Sequence, residues 1–328
     1  MALLTAVMQA LVAAALLAQT APAQVTAEEA VSVTTPTLTI AGSLRLPAAT
    51  GKVPVAIIIA GSGPTNRDGN SGMLPGSNNA YKLLAEALAA QGIASVRYDK
   101  RGIGGSAWPG MKEAELRFEM YVDDAVAWIA RLRADPRFST VTVIGHSEGS
   151  LIGMLAAGRS RADAYVSIAG LAKPAGQILR DQLRPQIGSM AELWQQNETI
   201  LTSLEAGKTV DPLPAPFAAV PGLAALYRPS VQPYLISWLK YTPSMEIAKL
   251  SMPILILQGT TDIQVTPAEA RALKAAVPNA QLVVIDGMNH VLKHVVEPAK
   301  QAASYSDPAL PLVPEVPNAI VALIRGLK

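Results

Sequence analysis

The sequence of residues 141–149 is Val-Thr-Val-Ile-Gly-His-Ser-Glu-Gly. Its apolar, β-branched start at 141–144 predicts a short buried strand, and the segment 150–157 after it predicts a helix. Ser147 would therefore stand on a sharp turn between a strand and a helix, with flanking glycines that let the two elements approach closely. Such a turn strains the backbone of the serine and directs its hydroxyl outward over the edge of a sheet.

Strands and helices alternate on both sides of this turn. Short apolar runs predict buried strands, and amphipathic segments between them predict helices. An alternating stretch at 31–47 predicts an antiparallel hairpin with its turn at Ala41-Gly42-Ser43. This order predicts an α/β fold with a mostly parallel central sheet and helices on both faces. The other predicted strands are 53–60, 93–98, 164–168, 254–258 and 281–285, and the other helices around the sheet are 79–91, 121–134, 267–276 and 317–327.

The alternation stops between residues 171 and 250, where helical patterns occur without a strand pattern. We interpret this stretch as a helical cap inserted into one large α/β core, whose two parts are 24–170 and 251–328. The helices predicted inside it are 177–186, 190–206 and 231–239.

The first 23 residues have the pattern of a secretory signal peptide. Residues 1–18 are almost all apolar, and Ala21-Pro22-Ala23 has the small-x-small pattern that precedes cleavage, here expected before Gln24. The alternative is an uncleaved membrane anchor. However, the run is interrupted by Gln9 and is short for a spanning helix of about 20 apolar residues. The sequence predicts an exported protein, periplasmic or secreted, with no stable membrane span after signal cleavage.

The composition excludes several classes of protein. The chain of 328 residues has no cysteine, which rules out disulfides, thiolate metal sites and a cysteine nucleophile. A formal net charge of +2 gives no basic face for nucleic acid. No His, Asp and Glu residues have the spacing of metal ligands, and no glycine-rich nucleotide motif has the right setting. We expect no cofactor, no metal and a small-molecule substrate, and we leave the oligomeric state open.

A serine hydroxyl is a weak nucleophile without a base, and the chain has only three histidines. His290 follows the predicted strand 281–285, at the end of the strand where open α/β sheets bind ligands. His294 lies one helical turn further along and is the competitor. His146 is adjacent to Ser147 and is expected to point into packing. The order serine, aspartate, histidine along the chain favours His290 as the base.

The third member of such a group is a carboxylate that holds the imidazole in one tautomer. Asp262 lies just beyond the strand 254–258 and falls between the serine and the histidine in sequence. Asp286 is the rival, but one strand end would then supply both base and acid. A turn or a helix cap is the alternative role for Asp262, since aspartate favours both positions. We predict Asp262 as the acid.

An oxyanion that develops during acyl transfer needs N–H donors. The N–H of Glu148, at the start of the helix after Ser147, is the first predicted donor. The second is expected from the loop after strand 53–60, which begins Gly61-Ser62-Gly63-Pro64. Pro64 has no N–H, so Ser62 and Gly63 are the two candidates, and the sequence does not separate them.

Together these motifs resemble the α/β-hydrolase superfamily, from about Thr37 to the C-terminus. The resemblance implies a triad of Ser147, His290 and Asp262 and an acyl-enzyme mechanism. The first loop is similar to that of bacterial exported serine esterases with a helical cap, and we expect a carboxylic ester as substrate. The superfamily also includes peptidases, thioesterases and lactonases, so the resemblance does not fix the substrate. The first loop departs from the His-Gly-Gly-Gly form of some lipases. The motifs that match are Ala60-Gly61-Ser62-Gly63-Pro64, Arg97-Tyr98-Asp99-Lys100-Arg101-Gly102, Gly145-His146-Ser147-Glu148-Gly149, Gly259-Thr260-Thr261-Asp262 and Asn289-His290.

Two other functions fit the same residues. One is a serine peptidase with the same triad, which would also need a site for a charged terminus or a P1 side chain that the sequence does not reveal. The other is a binding protein on a hydrolase scaffold. In the cap, Trp194, Trp238 and Tyr234 are either pocket or core residues.

Charged residues in two loops also have open roles. Arg67 and Asp68 either shape the site or form a local ion pair, and Asp99 and Arg101 are expected to pin a turn.

Overall fold

A single eight-stranded sheet organises the molecule, which is described for residues 28–327 by a computed structural model. The predicted signal peptide, residues 1–23, lies outside the described residues. The strands are β1 (Glu29–Thr34), β2 (Thr39–Arg45), β3 (Val53–Ile59), β4 (Ala94–Tyr98), β5 (Phe138–His146), β6 (Ala164–Ile168), β7 (Ile254–Gly259) and β8 (Gln281–Ile285). Their order in the sheet is β1-β2-β4-β3-β5-β6-β7-β8.

The direction of the strands confirms the predicted fold class. β1 pairs antiparallel with β2, and β2 pairs antiparallel with β4. Every pair from β4 to β8 is parallel. Because parallel strands put their carboxyl ends at one edge, the loops after β3, β5, β7 and β8 all open on the same side of the sheet.

Helices cover both faces of the sheet, as predicted. Side chains alternate across a strand, so neighbours on β3 enter different cores. Ile58 packs in one buried cluster with Leu84 and Ile320. Ile57 packs in the opposite cluster with Trp128. The helices of the described chain are α1 (Ala80–Ala90), α2 (Phe118–Ala134), α3 (Glu148–Ser160), α4 (Ala175–Ile187), α5 (Ala191–Glu205), α6 (Ala215–Ala218), α7 (Pro221–Tyr227), α8 (Gln232–Trp238), α9 (Pro243–Ile247), α10 (Pro267–Ala276), α11 (Gln301–Ser304) and α12 (Glu315–Arg325).

The hairpin at the edge of the sheet exists, but the predicted position of its turn was wrong. The chain turns at residues 35–38, where the N–H of Thr35 donates to the carbonyl oxygen of Leu38 at 2.9 Å. Gly42 lies inside β2 instead. A Cβ at Gly42 would lie 2.9 Å from the carbonyl oxygen of Arg97 and 3.0 Å from the ring of Trp128. This glycine is therefore required by close packing rather than by a turn.

Helices alone, α4 to α9, fill residues 171–250 of the described chain between β6 and β7. Buried side chains from this stretch, including Ile200, Leu201 and Phe217, belong to the same apolar cluster as one face of the sheet. The boundaries of a separate cap at 171 and 250 stay a prediction. Among residues 28–327, no helix is both long enough and apolar enough to cross a membrane.

Candidate active site

Ser147 occupies a strained turn between β5 and α3. Its backbone has φ +55° and ψ −123°, a conformation that side-chain-bearing residues rarely adopt. Both flanking glycines are sterically required. A Cβ at Gly145 would lie 2.2 Å from the carbonyl oxygen of Gly149, and one at Gly149 would lie 2.4 Å from that of Ile59. The turn is held further by the N–H of Ser147, which donates to the carbonyl oxygen of Ile168 at 2.9 Å.

Asp262 and His290 are hydrogen-bonded to each other across the ends of β7 and β8. The Oδ2 of Asp262 lies 2.8 Å from the Nδ1 of His290, and both side chains are buried. The other carboxylate oxygen accepts the N–H groups of Gln264 and Val265, at 2.8 and 2.9 Å. These contacts fix the carboxylate so that it meets the imidazole with one oxygen.

The charge state of Asp262 follows from these contacts. Burial raises the pKa of Asp262, but the attraction of His290 and the hydrogen bonds from His290, Val265 and Gln264 lower it further, to below its usual value. A carboxylate that stays ionised accepts a hydrogen bond from the N–H at Nδ1 of His290. The Nε2 of that ring is then free to accept a proton from a serine hydroxyl.

The three predicted triad residues all follow the carboxyl ends of parallel strands, on one side of the sheet. His146, next to Ser147, lies with its ring centroid 4.7 Å from that of His290. Ser147 is half-buried, and its hydroxyl makes no hydrogen bond within residues 28–327. Contacts between a catalytic serine and its base are often long in ligand-free enzymes and tighten when substrate binds.

The rival residues make different contacts. His294 is exposed and packs against Gly287, where a Cβ would lie 2.3 Å from its Nε2. Asp286 is exposed, and its carboxylate accepts the hydroxyl of Thr260 at 2.9 Å. Neither side chain is hydrogen-bonded to His290.

His146 is packed in the interior, where Nδ1 lies 2.8 Å from the hydroxyl of Tyr81 and Nε2 lies 2.8 Å from the carbonyl oxygen of His290. Burial lowers the pKa of His146 to about 3, so the ring is neutral. A neutral ring can donate from Nε2 only when Nδ1 accepts, so the Tyr81 hydroxyl donates to Nδ1.

The two predicted sources of oxyanion donors lie beside Ser147. The N–H of Glu148 is at the start of α3, where helix N–H groups have no partner within the helix. In the loop after β3, the N–H of Gly61 donates to the hydroxyl of Tyr81 at 3.2 Å. A Cβ at Gly61 would lie 3.1 Å from the Cβ of Ser147, so this loop is in direct contact with the serine. Ser62 and Gly63 follow at the exposed surface.

Sequence analysis missed a buried charged network behind the site. Lys100 and Glu148 are only 1% and 5% exposed, and their charged groups are 3.4 Å apart. Lys100 also donates to the carbonyl oxygen of Gly61 at 2.5 Å, and Tyr234 of α8 donates to Glu148 at 2.6 Å. The network could have been predicted only from the order of the strands in the sheet. Lys100 follows β4, Gly61 follows β3 and Glu148 follows β5, and these three strands are neighbours in the order β4-β3-β5.

The remaining charges have structural partners other than those expected. Arg67 does not pair with Asp68. It binds Asp99 through its side chain at 2.7 Å and its backbone N–H at 2.7 Å. Asp68 instead pairs with Arg97 at 2.8 Å.

Two other expectations concerned Arg101 and a cap tryptophan. The turn after β4 is pinned by Asp99, whose carboxylate accepts the N–H of Gly105 at 2.8 Å, whereas Arg101 forms a buried ion pair with Asp124. Trp194 is half-buried under the guanidinium of Arg184, 4.3 Å from its ring centroid, which is a packing contact. Within residues 28–327, no group of three or more His, Asp and Glu side chains could hold a metal ion.

The strand order, the strained serine turn and the aspartate–histidine pair beyond it are those of the α/β-hydrolase fold.

Comparisons with known proteins agree with this class. The family described as "Hydrolase_4: Serine aminopeptidase, S33" matches residues 74–204, which include Ser147 but neither Asp262 nor His290. Esterase EstD from Thermotoga maritima is 29% identical over 254 residues, which are 76% of this chain. The aligned part spans 57% of the length of that relative.

Solved structures share the fold at low sequence identity. Est1E from Butyrivibrio proteoclasticus superposes with a TM-score of 0.56 at 18% identity, over 90% of this chain and 97% of its own. An esterase from Pyrococcus furiosus superposes with a TM-score of 0.54 at 16% identity, over 81% of this chain and 84% of its own. At these identities the likeness establishes the fold.

Proposed function

We propose that this protein hydrolyses carboxylic esters through an acyl-enzyme intermediate. Ser147 is the nucleophile, His290 is the general base and Asp262 holds the imidazole. The observation that carries the proposal is the 2.8 Å hydrogen bond between Asp262 and Nδ1 of His290. Ser147, whose backbone has a strained positive φ, lies in the neighbouring turn. An ionised aspartate on Nδ1 leaves Nε2 ready to take a proton from a serine hydroxyl.

The reaction proceeds in two halves. Nε2 of His290 takes the proton of the Ser147 hydroxyl while Oγ bonds to the acyl carbon, and the carbonyl oxygen becomes an oxyanion. The N–H of Glu148 and an N–H from the Ser62-Gly63 segment stabilise that oxyanion. The bond to the alcohol oxygen then breaks, and His290 returns the proton to it. His290 then takes a proton from water, which attacks the acyl-enzyme; the bond between the acyl carbon and Oγ of Ser147 breaks, His290 returns the proton to Oγ, and the acid leaves.

Replacement of the serine tests the proposal directly. Wild-type protein should hydrolyse short p-nitrophenyl esters and should be labelled by a fluorophosphonate on Ser147. Ser147→Ala should lose both properties with an unchanged circular dichroism spectrum. A wild-type protein that resists the label would instead support a binding protein without catalysis, because an inert scaffold has no activated serine.

Peptide hydrolysis is the second candidate, because the family that matches residues 74–204 is described as a serine aminopeptidase. The relative from Thermotoga maritima, Esterase EstD, supports the ester instead. A panel of aminoacyl p-nitroanilides and matched p-nitrophenyl esters separates the two. Turnover of the anilides at rates similar to the esters would favour the peptidase.

Residues 171–250 act as a cap over this site. Support comes from Tyr234 on α8, whose hydroxyl reaches Glu148, the residue after Ser147. A phosphonate bonded to Ser147 should then slow amide hydrogen exchange in α8 and leave α12, on the other face of the sheet, unchanged. Equal exchange in α8 before and after labelling would contradict the cap.

Residues 1–23 act as a cleaved signal peptide, and the mature protein is periplasmic or secreted. The apolar run at 1–18 and the Ala21-Pro22-Ala23 pattern support this proposal. Mass spectrometry of protein from the exported fraction should find Gln24 at the N-terminus. An intact chain retained in the membrane fraction would show an anchor instead.

A further inference from the structure

Lys100 has an environment that its sequence position did not suggest. It lies just after the end of β4, yet its side chain is buried, and its ammonium donates hydrogen bonds to two partners. One is the carbonyl oxygen of Gly61 at 2.5 Å, and the other is the carboxylate of Glu148 at 3.4 Å. These partners belong to the two segments that carry the candidate oxyanion donors. A buried ammonium is costly unless it is paired, so this position needs a reason beyond packing.

Gly61 is held from both sides. Its N–H donates to the hydroxyl of Tyr81 at 3.2 Å, and its carbonyl oxygen accepts from Lys100. In a trans peptide, the carbonyl of one residue and the N–H of the next point in opposite directions. Fixing the oxygen of Gly61 toward Lys100 therefore fixes the N–H of Ser62 in the opposite direction.

The N–H of Ser62 is free to meet a ligand. It donates to no acceptor within residues 28–327. The residue that precedes it touches the serine, since a Cβ at Gly61 would lie 3.1 Å from the Cβ of Ser147.

We propose that Lys100 is a positioning residue that aims the N–H of Ser62 at the oxyanion, which makes Ser62 rather than Gly63 the second donor. This inference rests on the proposed esterase function. The ammonium also polarises the Gly61–Ser62 amide, because hydrogen bonds in a chain strengthen one another, and the N–H of Ser62 becomes a better donor. Glu148 balances the buried charge, so that one ion pair joins the two segments that supply the donors.

The same contacts explain why Glu148 follows the nucleophile. Its backbone N–H is the other candidate donor to the oxyanion, while its side chain pairs with Lys100 and accepts the hydroxyl of Tyr234. A neutral residue at this position would leave the ammonium of Lys100 without a counter-charge in a buried setting.

The test uses Lys100→Met with a matched control, Lys293→Met. Lys293 is also fully buried, and it donates to a backbone carbonyl, that of Leu310, at 2.6 Å. Both variants remove a buried ammonium, but only the first removes the restraint on Gly61. With a p-nitrophenyl ester, Lys100→Met should lower kcat and kcat/KM by the same factor, about 100-fold, as expected for a lost oxyanion donor. Affinity for an aryl boronic acid, whose oxygen mimics the oxyanion, should fall in parallel.

A double-mutant cycle separates positioning from loss of structure. Ser62→Pro removes the donor itself, because proline has no N–H. Adding Lys100→Met to Ser62→Pro should then cause no further loss of kcat. If the single variant does not fold, Lys100→Met with Glu148→Gln removes both charges and keeps both backbone N–H groups, and its kcat is compared with that of Glu148→Gln alone.

Three outcomes would overturn the proposal. These are an unchanged kcat in Lys100→Met, an equal loss of kcat per folded molecule in Lys293→Met, or an undiminished effect of Lys100→Met in the Ser62→Pro background. A wild-type protein that neither hydrolyses esters nor reacts with a fluorophosphonate would overturn the esterase function instead. The two failures are thus distinguishable.

Discussion

The Nε2 of His146 lies 2.8 Å from the carbonyl oxygen of His290. This bond ties the residue before the serine to the backbone of the candidate base, across 144 positions of sequence. The other nitrogen of His146 is held by the hydroxyl of Tyr81, which also accepts the N–H of Gly61. One neutral histidine therefore links the serine turn, the loop of the base and the oxyanion loop.

The stability of the fold should depend on pH through His146. Burial lowers the pKa of its imidazole from 6.5 to about 3. Between these two pH values, the imidazole is protonated in the unfolded chain and neutral in the folded chain. Its contribution to stability is therefore complete above pH 6.5 and is lost as the pH falls from 6.5 toward about 3. Urea unfolding measured across this range should show the free energy of unfolding falling with pH.

The control for this effect is His146→Gln, which does not titrate and can still donate an amide N–H to the carbonyl of His290. Its free energy of unfolding should fall less steeply between pH 6 and pH 4. Asp262, whose pKa is also lowered, acts in the same direction in both proteins because protonation of its carboxylate destabilises the fold. If the free energy of unfolding depended on pH equally in the two proteins, His146 would not contribute to the pH dependence.

Asp262→Asn should abolish most activity while Asp286→Asn should not. An amide at position 262 can donate to Nδ1 of His290, which places the ring proton on Nε2, and kcat should fall by about 10⁴-fold. Asp286 is exposed and accepts only the hydroxyl of Thr260 among the described residues, so its variant should keep the wild-type kcat. Turnover of a p-nitrophenyl ester measures both, and equal losses would contradict the assignment of the acid.

Gly145→Ala should destabilise the fold. A Cβ at this position would lie 2.2 Å from the carbonyl oxygen of Gly149, which is backbone and cannot rotate away. The free energy of unfolding should fall by at least about 2 kcal/mol, at the upper part of the range for overpacking. The control is Gly222→Ala at an exposed position of α7, where a Cβ would have no other atom within 4 Å. That variant should gain about 0.5–1 kcal/mol from lower backbone entropy in the unfolded chain. Similar effects of the two substitutions would show that the serine turn tolerates a side chain.

Tyr234→Phe should reduce kcat as well as stability. Its hydroxyl donates to the buried carboxylate of Glu148, so removing it should cost about 1–3 kcal/mol of unfolding free energy and loosen the partner of Lys100. Tyr227→Phe is the matched control, since that buried hydroxyl donates to the side chain of Asn197 in the same helical stretch. It should cost about 1 kcal/mol and leave kcat unchanged. Esterase kinetics give kcat and chemical denaturation gives the free energy of unfolding of both variants. An unaltered kcat in Tyr234→Phe would show that this contact of α8 does not contribute to catalysis.

Much of the fold was predictable because its signals are local. The strands of the parallel sheet are continuous apolar runs, and the segments 164–168, 267–276 and 281–285 were predicted at their observed bounds. Errors arose where a distant contact decides the structure. Gly42 suggested a turn, but the ring of Trp128 requires a glycine there. α2 begins three residues before the predicted start, where the N–H of Phe118 is capped by the hydroxyl of Ser237 on α8.

The site divides in the same way. Ser147 was predicted from a five-residue motif. Asp262 and His290 were predicted from their positions after strand ends and from their order along the chain. Lys100 could not be found from its neighbours in sequence, since a lysine in a polar turn is ordinarily solvated. Its burial depends on the order of β4, β3 and β5, which brings Gly61 and Glu148 beside it.

The strand order has a final consequence for how the protein matures. Ser147 leaves β5 near the middle of the sheet, whereas Asp262 and His290 follow β7 and β8 at its far edge, after the whole helical stretch has been synthesised. A nascent chain that ends before β7 carries the serine but has neither the candidate acid nor the candidate base. Ser147 would thus become reactive only after β7 and β8 have been synthesised and folded. Labelling by a covalent serine probe would therefore report that folding is complete.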